Sequence, residues 1–222
     1  MRLGILSESP ADEAALEVLL RCLPLEGLQR ESSFRGRKGW PGVRDVTPAV
    51  IKALYYGTQA EGLVIVVDSD DTRPHHADHT DPTKQGDCRA CEMASVVRVE
   101  LGNLTPVHGR ASFLVAVGLA VPAIEAWYLC GEDHQVNEAA WINGQLQGVE
   151  PYSRLSLKEA LYGVTRIPLD VAISKAEEAA TRLCGDDLSR LEQDFPVGFR
   201  MLLADEVRGW QSDAGELLGF TD

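Results

Sequence analysis

The chain has 222 residues, of which 34 are Asp or Glu and 21 are Lys or Arg, giving a formal net charge of −13. This acidity argues against strong, unaided binding to a phosphate backbone, although bound cations offset acidic charge locally. No apolar stretch has the length of a membrane span or the form of a signal peptide. We therefore expect a cytoplasmic protein whose five cysteines are reduced.

The first half of the chain alternates predicted strands and helices. Arg2–Leu6 is a short apolar run typical of a buried strand, and Gly62–Asp68 is a longer one, rich in Val and Ile, typical of a central parallel strand. Ser9 followed by Pro10 predicts a capped helix after the first strand. Further predicted elements are an edge strand at 28–34, helices at 47–57 and 89–101, and a strand at 113–118.

The second half of the chain is predicted to be mostly helical. Helical patterns occur at 123–129, 137–145, 157–162, 171–183 and 197–210. Strands alternating with helices predict a parallel sheet, here of about four strands. We therefore expect an α/β domain over residues 1–122, with helices flanking the sheet, and a helical extension over residues 123–222 packed on it.

Acidic residues follow two of the predicted strands. Glu8 follows the first strand, and Asp68 and Asp70 follow the strand at 62–68. Because ligands of open parallel sheets collect beyond the carboxyl ends of the strands, we expect these carboxylates to converge. Oxygen ligands suit hard cations, so the pattern predicts a Mg²⁺ (or Mn²⁺) site. The alternative is a solvated acidic turn beside a charge at a helix terminus.

These two motifs resemble those of the Toprim fold, which topoisomerases and primases share. The stretch ESPADEAAL at 8–16 is similar to the Glu-Gly-x-x-Asp start of Toprim domains, and VIVVDSDD at 64–71 is similar to their Asp-x-Asp strand. Ser9 departs from the usual glycine, which bears on how closely the backbone approaches a phosphate. The chain also resembles an uncharacterised bacterial Toprim-related family, in a Glu-Ala-Trp motif at 125–127 and in the helical end at 176–203.

The Toprim resemblance implies Mg²⁺-dependent phosphodiester chemistry on DNA or RNA, of the nuclease type. It implies that Asp68 and Asp70 bind the metal and that Glu8 acts as an acid or base beside it. Several small Toprim relatives accompany ATPases in antiphage defence, so an ATPase partner is also implied. Secondary acidic candidates are Asp12, Asp71 and Glu125.

Two other functions remain open from the sequence. The fold can serve as a non-catalytic regulatory or scaffold subunit of an ATPase-associated complex, which suits the acidic chain. The sequence DSDDT at 68–72 also fits a haloacid-dehalogenase-like phosphatase, with Gly185–Asp187 as its later acidic motif. That phosphatase fold needs several strands after the nucleophile, and the chain offers one clear candidate.

A cluster of histidines and cysteines lies between the acidic motif and the following helix. His75, His76 and His79 precede Cys88 and Cys91, a pattern typical of a tetrahedral zinc site. We expect His76 and His79 to be the pair that binds, since residues three apart point the same way in a helical turn. Such a site is closed and orders a long polar loop. The alternative is a polar loop with two half-buried thiols.

One basic stretch, between residues 30 and 44, interrupts the acidic chain and is rich in Gly. Its cations are placed to guide a phosphate backbone toward the metal, and its tryptophan to stack on a base. The alternative is a solvated loop with the tryptophan folded onto the surface. The candidate nucleic-acid-binding residues are Arg35, Arg37, Lys38 and Trp40.

Overall fold

A sheet of four parallel strands forms the centre of the molecule, in the order β2-β1-β3-β4. The computed structural model describes residues 1–23, 27–31, 39–75, 79, 87–164, 166–207 and 210, without the side chains of 186–187 and 204–206. The strands are β1 (Arg2–Leu6), β2 (Gln29–Arg30), β3 (Gly62–Asp68) and β4 (Leu114–Ala120). The predicted α/β class with an all-parallel sheet is confirmed.

Helices flank the sheet and make up most of the chain after β4. No helix in the described ranges is both long and apolar enough to cross a membrane. The helices are α1 (Pro10–Arg21), α2 (Gly39–Gly57), α3 (Arg89–Asn103), α4 (Ile124–Tyr128), α5 (Glu138–Gln147), α6 (Arg154–Tyr162), α7 (Leu169–Arg182) and α8 (Leu188–Asp194), with π-helical turns at Leu183–Asp187, Pro196–Arg200 and Leu202–Val207. The mostly helical second half is also confirmed.

Strand β3 divides the core into two layers. Its residues Val64 and Val66 face the layer built by α1, α4 and α7, whereas Leu63, Ile65 and Val67 face α2 and α3. All five side chains are buried. Each such burial contributes about 1.5–3 kcal/mol relative to exposure, so an apolar run with no polar alternation becomes the central strand.

The turn from β1 into α1 fixes the position of Glu8. Ser9 has an extended backbone, and its side chain accepts a hydrogen bond from the Asp12 backbone N–H at 3.2 Å. Pro10 occupies the first helical position, where the missing N–H costs nothing. The cap therefore holds Glu8 at the carboxyl end of β1, as the sequence predicted.

Helix α2 begins at Gly39, well before the start that we predicted at Thr47. The Gly- and Arg-rich stretch at 35–44 is typical of a loop, and this interpretation is wrong from Gly39 onward. Pro41 lies in the first turn, where no N–H is needed, and Pro48 is tolerated within the helix. The Thr47 hydroxyl donates to the Val43 carbonyl at 2.8 Å, next to the Arg44 carbonyl that would otherwise accept from residue 48.

Helix α7 packs along α1 and joins the helical extension to the sheet. At the end of this contact Cys22 and Cys184 form a disulfide, with their Cα atoms 5.6 Å apart. The expectation that all cysteines are reduced is therefore wrong for this pair, because the packing of two helices far apart in sequence brings the thiols together. Cys88, Cys91 and Cys130 are not disulfide-bonded.

Candidate functional site

The carboxyl ends of β1 and β3 bring Glu8, Asp68 and Asp70 to the same edge of the sheet. The Asp68 backbone N–H donates to Glu8 Oε1 at 3.0 Å, and Asp68 Oδ1 accepts from the Ile124 N–H at 2.9 Å. Asp70 follows in a left-handed conformation, with φ of 48°. Arg89 Nη1 lies 2.5 Å from Asp70 Oδ2 and 3.9 Å from Glu8 Oε1. The predicted convergence of these side chains is present in the structure.

Two guanidinium groups lie among these carboxylates. Arg154, from the first position of α6, has Nη2 3.1 Å from Asp68 Oδ2, and its Nη1 contacts Asp70 Oδ1. Arg89, from the first position of α3, donates to the Asp68 carbonyl at 2.7 Å. Arg154 thus bridges two carboxylates through its two terminal nitrogens, whereas Arg89 makes its contacts through Nη1 alone.

The arginines place positive charge from α3 and α6 beside the carboxylates of Asp68 and Asp70. Among the described residues, the group with the arrangement of a metal site is a His/Cys group and does not include Glu8, Asp68 or Asp70. The Mg²⁺ site at these carboxylates stays a prediction.

Two further carboxyl groups lie beside the first three. Asp12, in the first turn of α1, and Glu125, in the first turn of α4, are buried, and both line the same cavity as Glu8 and Asp68. Glu125 Oε1 lies 3.6 Å from Lys158 Nζ, whereas Oε2 has no hydrogen-bond partner among the described residues. Asp71 is exposed. We call the carboxyl groups of Glu8, Asp12, Asp68, Asp70 and Glu125 the acidic centre.

Burial and mutual repulsion raise the pKa of several of these carboxyls. Burial, followed by the charge of Glu125, raises the pKa of Asp12 from 3.8 to about 7. The same two causes raise the pKa of Asp68 well above its usual range. Burial also raises the pKa of Glu8, against the hydrogen bond from the Asp68 N–H. Asp12 and Asp68 therefore keep their protons to a higher pH than ordinary carboxyl groups do.

The acidic centre opens into a cavity of about 720 Å³. The cavity is also lined by the cations Arg154, Lys158 and Arg166 and by apolar residues at 167–169. This volume is in the range of small-molecule and cofactor pockets. The cavity can therefore take a small ligand that has both charged and apolar parts.

A second group of side chains has the composition of a metal site. Ligand atoms of His75, His79, Cys88 and Cys91 all lie within 4.8 Å of one another. The Cys88 and Cys91 sulfurs are 3.7 Å and 3.3 Å from His75 Nδ1. Burial and the neighbouring Cys88 raise the pKa of Cys91 to about 12, the opposite of an activated thiol. This group can hold a metal; His76, which we predicted as a ligand, lies outside the described residues.

The predicted nucleic-acid-binding residues are described only in part. Arg35, Arg37 and Lys38 lie outside the described residues. Trp40 is partly buried in the first turn of α2, and the Arg89 guanidinium carbon lies 5.4 Å from its ring centroid. Its ring thus packs beside the acidic centre through a cation–π contact. A role in stacking on a base stays a prediction.

The sequence analysis missed the cations of the site, Arg89, Arg154 and Lys158. Arg89 directly follows Cys88 at a predicted helix start, so the sequence did indicate that Arg89 lies next to a candidate metal ligand. Arg154 follows Ser153, which caps α6 through the Ser156 N–H at 3.1 Å. That cap marks a helix start, but nothing local indicates that this end of α6 meets the strand ends.

The fold and the site define an α/β protein with an acidic centre at the carboxyl ends of parallel strands. Comparison of the chain with models of protein families, with curated proteins and with solved structures found no match in any of the three. The Toprim resemblance therefore rests on the acidic motifs at 8–16 and 64–71 and on the likeness of the second half, and it stays a prediction.

Proposed function

We propose that the acidic centre binds Mg²⁺ or Mn²⁺ and hydrolyses a phosphodiester bond of nucleic acid. The observation that carries this proposal is the crowding of five carboxyl groups with three cations, Arg89, Arg154 and Lys158, at the ends of two strands. Burial and the neighbouring negative charges raise the pKa of Glu8, Asp12 and Asp68, so protonation of these carboxyls is favoured. A divalent cation would take the place of the protons and stabilise the charged carboxylates.

Each part of the site has a place in such a reaction. When bound, the metal would polarise a phosphoryl oxygen and orient the attacking water. Glu8, whose pKa is raised, is suited to taking a proton from that water. Arg89 and Arg154 would exchange their carboxylate partners for phosphate oxygens, to which guanidinium groups donate strong, charge-assisted hydrogen bonds. This exchange would free Asp68 and Asp70 to bind the cation.

The proposal includes cofactors, location and partners. Its cofactors are Mg²⁺ or Mn²⁺ at the acidic centre and a structural Zn²⁺ at the His/Cys group. The cytoplasm is the proposed location, with DNA or RNA as substrate. An ATPase partner and a role in antiphage defence are supported only by the Toprim resemblance.

A second candidate function is a non-catalytic regulatory or scaffold subunit. The observation in its favour is that Arg89 and Arg154 already pair with Asp68 and Asp70, so positive charge offsets part of the acidic centre. The phosphatase alternative gains no such support. Its later acidic motif, Gly185–Asp187, lies in a π-helical turn after α7 rather than at the end of a strand.

A cleavage assay with matched variants tests the proposal. Purified chain is incubated with plasmid DNA or labelled RNA in Mg²⁺ or Mn²⁺, and Asp70→Asn is compared with Asp71→Asn. Removing a residue that only hydrogen-bonds to a metal ligand lowers metal affinity or activity about 10–100-fold. Asp70 is a proposed ligand itself, so Asp70→Asn should lower cleavage at least about 100-fold. The exposed Asp71 serves as the control and should retain activity. Equal cleavage by the two variants would refute the mechanism, and no cleavage by the wild type would favour the scaffold function.

A further inference from the structure

We propose that His75, His79, Cys88 and Cys91 bind one Zn²⁺ in a closed tetrahedral site, and that this ion fixes Arg89 against the acidic centre. The four ligand atoms come from two segments, one following β3 and one at the start of α3. The inference concerns metal content and side-chain position, so it stands whether or not the acidic centre cleaves nucleic acid.

The distances in the group match those of a tetrahedral zinc site. With Zn–S of about 2.3 Å and Zn–N of about 2.0–2.1 Å, tetrahedral geometry separates a sulfur from a nitrogen ligand by about 3.6 Å. His75 Nδ1 lies 3.7 Å from Cys88 Sγ and 3.3 Å from Cys91 Sγ. The ligand atom of His79 lies within 4.8 Å of all the others. A metal ion fits between them with small movements of the side chains.

The ligand chemistry selects zinc over the hard cation proposed for the acidic centre. Thiolate and imidazole ligands suit Zn²⁺, whereas Mg²⁺ prefers carboxylate, carbonyl and water oxygens. Two cysteines and two histidines complete a four-coordinate shell, so no position is left for a reacting water. His79 and Cys88 are buried, which keeps the site from solvent. The ion would therefore have a structural role.

Two of the proposed zinc ligands, Cys88 and Cys91, flank Arg89 in the sequence. Cys88 precedes α3 and makes no capping hydrogen bond with its side chain, and Cys91 lies in the first turn. Metal bonds to both sulfurs would hold this turn, and Arg89 with it. Arg89 Nη1 is 2.5 Å from Asp70 Oδ2, and its guanidinium packs on Trp40. The zinc would thus act on the acidic centre through Arg89 as a positioning residue.

Metal analysis tests the site itself. Protein purified without a His tag should contain about one zinc per chain. Cys91→Ser should lose this zinc, whereas Cys130→Ser, which removes a buried thiol outside the group, should keep it. In the wild type, Co²⁺ replacing the zinc should give the sulfur-to-cobalt charge-transfer band of a tetrahedral thiolate site, a readout that does not depend on a variant folding. Zinc well below one per chain, or a Co²⁺ spectrum without sulfur ligands, would overturn the site.

Tryptophan fluorescence tests the link to Arg89. Removing zinc with a chelator should change the fluorescence of the wild type, because Arg89 leaves the Trp40 ring, and adding zinc back should restore it. The change should disappear in Trp40→Phe. Zinc removal without a Trp40-dependent change would overturn the positioning role and leave the metal site intact. Neither readout depends on cleavage, so a failed nuclease proposal is recognised separately.

Discussion

Replacing Asp12 by Asn should remove much of the pH dependence of stability. The folded-state pKa of Asp12 is about 7, against 3.8 for the unfolded chain. Below pH 3.8 both states hold the proton, so the carboxyl does not affect their balance. As the pH rises from 3.8 to about 7, the unfolded chain loses its proton while the folded protein keeps it. The free energy of unfolding therefore falls over this window, and the loss is complete above it.

The size of this effect follows from the two pKa values. The full difference corresponds to about 4 kcal/mol, of which about 3 kcal/mol is lost between pH 5 and pH 8. Asn at position 12 carries no charge at either pH. The variant should therefore be more stable than the wild type at pH 8, and its free energy of unfolding should fall by about 3 kcal/mol less between the two pH values.

Urea denaturation at pH 5 and pH 8, first with a chelator and then with excess Mg²⁺, measures this prediction. Mg²⁺ at the acidic centre should lower the pKa of Asp12 and so reduce the pH-dependent loss in the wild type. Glu138 is the matched control, since burial raises its pKa to about 7 while it accepts hydrogen bonds from the Val197 and Gly198 N–H groups instead of facing the acidic centre.

The control separates the contribution of the acidic centre from that of any buried carboxyl. Glu138→Gln should also reduce the pH dependence, and the contribution that it removes should be the same with and without Mg²⁺. If Asp12→Asn and the wild type show equal pH dependence, Asp12 is not the titrating group. If Mg²⁺ leaves the wild-type profile unchanged, no cation reaches the acidic centre.

Two further substitutions test the ion pairs and the packing. Arg154→Met removes the cation that pairs with Asp70, so Mn²⁺ should bind about tenfold more tightly, as read by calorimetry; unchanged affinity would show that Arg154 does not compete with the metal. Gly198→Ala places a methyl group against the Leu119 carbonyl and should cost about 2 kcal/mol or more in thermal unfolding. The methyl group added by the control variant Gly57→Ala meets nothing within 4 Å, so its stability should change by less than about 1 kcal/mol in either direction. Equal melting temperatures for Gly198→Ala and Gly57→Ala would contradict the packing argument.

The strands and the first helix follow from local sequence. The apolar runs of β1 and β3 have no polar alternation, and burial of such runs on both faces outweighs other conformations. Ser9 and Pro10 mark the start of α1 through a cap that needs only neighbouring residues. The start of α2 was missed because Thr47 followed by Pro48 is typical of a capped helix start, and the Gly- and Arg-rich stretch at 35–44 is typical of a loop. In the structure Pro48 lies inside the helix instead.

Only those features of the site that follow from the order of the parallel strands could be predicted from the sequence. Parallel strands end at the same edge of the sheet, so Glu8 and Asp68 had to lie near each other once the order of strands was known. Arg154 comes from a helix far along the chain, and its pairing with Asp68 depends on long-range packing that no spacing reveals. Among the three candidate histidines, the sequence favoured His76 and His79 because they are three residues apart. In the structure His75, four residues before His79, belongs to the group with His79.

The packing of α7 along α1 bears on how the molecule unfolds. Helix α1 packs against both β1 and α7, so Leu16 and Leu20 belong to one buried cluster with residues from both parts of the chain. The Cys22–Cys184 bond also links the two parts covalently. Because this cluster is shared across the boundary near residue 122, we expect loss of the later helices to destabilise the strand ends that carry the acidic centre. We therefore expect the two parts to unfold in one cooperative transition.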